Sequence, residues 1–136
     1  MPMIPSAAAA LTYGAVKVAG YSLFAKALNR WAQSPSRPVR FGLGKTALGL
    51  AGGLLYLLVI VPFTPLEHSS DATLFIGATP IRLVAWSVAL SLFYRGRLQP
   101  RTMLLAVLAG TAGSYVLDGV MALIYRVLPG MVMPFC

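Results

Sequence analysis

The sequence predicts an all-α integral membrane protein, a compact bundle of four transmembrane helices with short loops. Three observations carry this. The chain is 58% hydrophobic with a mean hydropathy of +0.78 and is only 10% charged, whereas about a quarter of the residues in a soluble domain are charged. Apolar runs of about 20 residues recur along it, and at 1.5 Å per residue such a run covers a ~30 Å hydrocarbon core. Finally, the charges alternate between the connections. Lys26, Arg30, Arg37, Arg40 and Lys45 lie between the first two runs, and Arg95, Arg97 and Arg101 between the last two. The loop between runs two and three, Thr64 to Ala72, has no lysine or arginine and holds Glu67 and Asp71. Basic loops stay cytoplasmic, so this order is what the positive-inside rule produces in a chain that crosses repeatedly.

With 136 residues there is room for one membrane domain spanning 1–136. The first span, 6–28, is the least sharply marked, because it is rich in small residues and has Lys17 at its middle. A signal peptide would carry positive charge before the apolar stretch, and none is present. A helix lying on the membrane surface would gather its charges on one face. Lys17 and Lys26 are about nine positions apart, which at ~100° per residue places them on opposite sides. A true span is therefore expected.

The second span, 43–63, is charged only at its edge, by Lys45. The third, 73–94, contains Thr79-Pro80, and Pro80 removes a backbone hydrogen bond. It is expected to cross as a kinked helix, since the stretch from Pro80 to Tyr94 alone is short for a crossing. The fourth, 103–128, is apolar apart from Asp118, with Arg126 able to snorkel at its end. Four crossings place both termini on the non-cytoplasmic side. Trp31, Phe41, Phe93 and Tyr94 then fall near the inner interface and Phe63, Phe75 and Tyr125 near the outer, as aromatic belts prefer. Basic inner loops suit a bacterial plasma membrane. Arg37, Arg40, Lys45, Arg95, Arg97 and Arg101 are the expected contacts for anionic lipid head groups, at roughly 1 kcal/mol each.

The net charge of +8 does not indicate nucleic acid, because the basic residues flank apolar runs and form no soluble basic face. The single cysteine, Cys136, is the last residue, which allows no intrachain disulfide and no prenylation box. One histidine excludes bis-histidine haem ligation within the chain. Gly42-Leu43-Gly44-Lys45-Thr46 is too short for a phosphate loop. Neither a cofactor nor a metal is expected. Glu67-His68-Ser69-Ser70-Asp71 gathers acid, base and nucleophile types, but a nine-residue turn supplies no visible oxyanion hole, and zinc sites commonly assemble three or four ligands. A solvated polar turn is the expected reading, with an intramembrane enzyme at that turn as the least favoured alternative.

Two features remain. Small residues recur at helical spacing: Ala10 and Gly14; Gly49 and Gly53; Ala106, Gly110 and Ser114; Ala109 and Gly113. Such faces let helices approach closely in lipid, within the bundle or against a partner. Intramembrane charge costs about 2.5 to 3.5 kcal/mol per group on the insertion scale, so a partner is expected for Asp118. Counted from the inner ends, Arg82 lies ~18 Å deep, Asp118 ~22 Å and Lys17 only ~12 Å. The expected pair is therefore Arg82–Asp118, with Lys17 out of reach unless the helix tilts. Tyr13, Tyr56, Trp86 and Tyr115 fall within spans, where their polar tips require hydrogen-bond partners.

The functional expectation is a non-catalytic accessory or assembly subunit, packing through small-residue faces against another membrane protein or its own copies. The alternative is a small transporter, channel or lipid-handling protein using Arg82 and Asp118.

Overall fold

The computed structural model describes residues 7–33, 36–63, 73 and 76–127, with the side chains of 125–127 outside that set. The Glu67–Asp71 turn, Phe75 and Cys136 lie outside the described residues. Those described form four helices and no strand: α1 (Ala7–Trp31), α2 (Pro38–Leu55), α3 (Thr79–Phe93) and α4 (Pro100–Val127). Beyond Leu55, α2 continues through a π turn, Tyr56–Ile60, and a 3-10 turn, Val61–Phe63. Two helical segments are long and apolar enough to cross a membrane: Pro38–Phe63, with mean hydropathy 2.1, and Pro100–Ile124, with 1.6. α1 has the length, at 25 residues, but Lys17, Lys26 and Arg30 dilute it.

Local chemistry sets the helix ends. Pro38 opens α2 and Pro80 occupies the first turn of α3, where a missing N–H leaves no hydrogen bond unmade. Pro80 therefore starts a helix. A regular helix runs from Thr79, and a turn at Ala78 separates it from the helical Ile76 and Gly77, so the helical path breaks just before Pro80. The α3–α4 turn uses Gly96 at φ +68°, a backbone conformation that side-chain-bearing residues adopt only at a cost.

The helices form a ring in which α1 packs on α2 and α4, and α3 also packs on both. The core is aromatic. Trp86 meets Tyr21, Phe24 and Phe41 at centroid distances of 5.4, 4.8 and 5.9 Å. Phe41 also stacks edge-on against Phe93 and Tyr94. Phe41 and Tyr94 are thus buried core residues, while Trp31 and Phe63 are exposed. Tyr94 donates to Asn29 Oδ1 at 2.7 Å, and Ser36 Oγ lies 2.8 Å from the Tyr94 hydroxyl. This knot ties the end of α1 to the end of α3. Leucines and valines take the outer surface instead, among them Leu50, Leu54, Leu58, Val84, Leu92, Leu105, Leu108 and Leu123.

Small residues separate into two sets. Ala106, Gly110 and Ser114 are buried on the inner face of α4, and Gly49 and Gly53 on that of α2. Ala10 and Ala109 are exposed, and a Cβ added at Gly14 or Gly113 would meet no atom within 4 Å. At Gly110 it would fall 2.5 Å from a Trp86 ring carbon, and at Gly42 only 2.7 Å from the Val18 carbonyl oxygen. Gly110→Ala and Gly42→Ala should each lower stability by about 1–3 kcal/mol through overpacking. Gly14→Ala and Gly113→Ala should be neutral or slightly stabilising, since alanine favours helix by up to ~1 kcal/mol. Thermal unfolding followed by circular dichroism in detergent separates the two sets.

Candidate functional site

Each helix contributes one charged side chain to the interior. Lys17 comes from α1, Lys45 from α2, Arg82 from α3 and Asp118 from α4, with exposures of 0, 1, 5 and 6%. Lys17 Nζ pairs with Asp118 Oδ1, and Arg82 Nη1 donates to Asp118 Oδ2. One carboxylate thus receives two cations, one on each oxygen. The expected Arg82–Asp118 contact is present, and Lys17 joins it without the barrier that the depth estimate raised. The reason lies in the helix end. α1 runs to Trp31, about six residues past the point from which depth was counted, so Lys17 stands ~21 Å above the end of its helix.

Aromatic rings enclose the charges. Lys17 Nζ lies 5.3 Å from the Tyr13 ring centre and 5.8 Å from that of Tyr21. Arg82 lies over Tyr115 at 4.4 Å, and Lys45 Nζ is 4.9 Å from both the Tyr21 and the Trp86 rings. Ring faces attract cations, and more strongly once water is excluded. Lys45 therefore belongs to this cluster. It is not the lipid-facing residue its place at the helix edge suggests, because α2 begins at Pro38 and carries Lys45 two turns into the bundle. Arg37, Arg40, Arg95, Arg97 and Arg101 are exposed near the helix ends.

A neutral polar node lies beside the charges. Ser114 accepts from Trp86 Nε1 at 2.9 Å and donates to the Gly110 carbonyl at 3.1 Å; its hydroxyl is 3.2 Å from that of Tyr21. Ser114, which the sequence marks only as a small packing residue, is thus a hydrogen-bonding residue. The hydroxyls of Thr79 and Tyr115 also contact each other.

Between α2 and α3 is a cavity of about 10 Å³ lined by Lys45, Gly49, Gly53, Tyr56, Ala78, Ile81, Arg82 and Ala85. That is space for about one water-sized body. No group of three or more potential metal ligands occurs among the described residues. Lys45 is the participant that sequence spacing failed to reveal, whereas Tyr56 is marked in the sequence by a polar tip that falls within a span. The signal was there in Lys45-Gly49-Gly53, a four-residue line that gives one helix face two glycines and a cation.

Comparison with protein family models, with curated proteins and with solved structures finds no match for this chain.

Proposed function

We propose that this chain is a four-span membrane protein that handles an anionic solute or lipid through its charged interior, as a small transporter or channel would. The membrane placement rests on an inverted distribution: leucines and valines cover the outside while lysine, arginine and aspartate lie within. A water-soluble surface does not carry apolar area on this scale, whereas lipid favours it. With the basic turns at 37–40 and 95–101 in the cytoplasm, both termini lie on the opposite side.

The observation that carries the functional reading is an interior that holds three buried cations from three helices but one carboxylate: Lys17 and Arg82 pair with Asp118, and Lys45 lies over the Tyr21 and Trp86 rings. A pair that only fixed helix register would need one cation and one acid. Each further buried cation adds an insertion cost of about 2.5 to 3.5 kcal/mol, so the surplus is better explained by a use than by stability. The test is reconstitution into liposomes, with three readouts: chloride influx, phosphate uptake and scrambling of a fluorescent phosphatidylglycerol. One of the three should exceed that of protein-free vesicles and be lost in Arg82→Gln/Asp118→Asn while the variant stays helical. Activity in none of them overturns the reading.

A second reading is an accessory subunit that packs against another membrane protein or its own copies. The outward-facing Ala10, Gly14, Ala109 and Gly113 favour it, because none of them is used within the chain. Native mass spectrometry of gently extracted protein supports it if an unrelated chain stays bound.

A further inference from the structure

The geometry points to a binding site for one small monovalent anion of halide size between α2 and α3, formed by Lys45, Tyr56 and Arg82 and floored by Gly49 and Gly53. It deepens the proposed function, on which it rests, by naming a place and a ligand class.

Three observations converge. The cavity there is bounded by two cations and a tyrosine, each at most 5% exposed. All three residue types offer N–H or O–H donors. They have further partners in the fold as well, so the site is defined by their convergence on one space. Its remaining walls are glycine, alanine and isoleucine, which suit a weakly hydrated ion better than a strongly hydrated one. Among the lining residues named, none is acidic.

The second observation is size. At about 10 Å³ the space admits about one water-sized body. A halide approaches this size, whereas a tetrahedral oxyanion would have to force the helices apart.

The third is the backbone. The helix turns from α to π geometry at Tyr56, whose N–H is shared between the Gly52 and Gly53 carbonyls. π turns in helices concentrate at functional sites. Here the π turn begins at Tyr56, which lines the cavity three residues after Gly53.

Trp86 provides a reporter. Its ring centre is 4.9 Å from Lys45 Nζ, and Trp31→Phe leaves it the only tryptophan in the chain. Bromide should quench the fluorescence of this purified full-length variant along a saturating curve, and chloride, a weak quencher, should compete. Ionic strength is held constant with gluconate. Lys45→Gln should weaken the affinity by ~10-fold or more, and Tyr56→Phe by roughly 3- to 10-fold, as loss of a charged and of a neutral donor implies. Tyr56→Phe keeps the ring and serves if Lys45→Gln fails to fold. Linear quenching that never saturates overturns the site. So does saturation untouched by Tyr56→Phe, and so does phosphate competing as well as chloride. Solute movement in liposomes without saturable quenching would sink this site alone. Saturable quenching with no movement of any solute would sink the transport reading and leave the site standing.

Discussion

Asp118→Asn should remove most of the folded protein. Asp118 holds Lys17 on one oxygen and Arg82 on the other, and all three side chains are almost fully buried. Breaking a buried pair by deleting one partner costs about 3–5 kcal/mol, mainly because the other charge stays buried and uncompensated. Here two cations lose the same partner at once. The extent of rescue then distinguishes a pair from a three-way cluster. Arg82→Gln/Asp118→Asn should recover stability only in part, because Lys17 still points at an amide. Adding Lys17→Met should recover most of the remainder. Unfolding temperature and monodisperse yield in detergent give the readout. An Asp118→Asn protein that melts with the parent would show that the carboxylate does not stabilise the cations.

Trp86→Ala should be the most damaging change among the uncharged residues, at about 3–5 kcal/mol for deletion of a large buried aromatic. Its ring contacts Tyr21, Phe24 and Phe41, fills the space above Gly110 and lies over Lys45, while Nε1 donates to Ser114. One side chain thereby joins all four helices. Trp86→Phe separates the polar part from the packing part. It removes only the indole donor and some bulk and should cost about 1–2 kcal/mol, since Ser114 keeps Tyr21 as a neighbour. The near-ultraviolet circular dichroism of the aromatic core should collapse for alanine and persist for phenylalanine. Equal losses for the two variants would move the importance of Trp86 from its ring contacts to its N–H.

How far a feature could be read from the sequence depended on whether it was local. The run from Leu43 to Phe63 corresponds to an observed helix because a stretch this apolar, with no charge beyond Lys45, leaves few alternatives in lipid. The helix itself begins five residues before the expected Leu43, at Pro38, because proline in a first turn leaves no hydrogen bond unmade. The start of α3 was harder. Proline inside a hydrophobic run reads equally well as a kink or as a first turn. The charged cluster was half legible. The reach of Arg82 to Asp118 followed from depth along two helices joined by a short turn, whereas Lys17 was excluded by a helix end placed too early. Lys45 was misread because its exposure depends on which way α2 rotates in the ring, and a uniformly apolar helix with glycines on one face shows little periodicity to fix that rotation.

The sequence by itself determined that the chain is helical, that two of its segments can span a membrane, and that its charges alternate along the chain. Composition and linear spacing carry that information, because every backbone group in lipid must be satisfied within its own segment. Only the tertiary structure decided that Lys17, Lys45, Arg82 and Asp118 meet, that Ser114 is a hydrogen-bonding node, and which glycines face inward. Those facts depend on the relative rotation and offset of four helices. Packing between helices sets these two quantities, and no single segment encodes them.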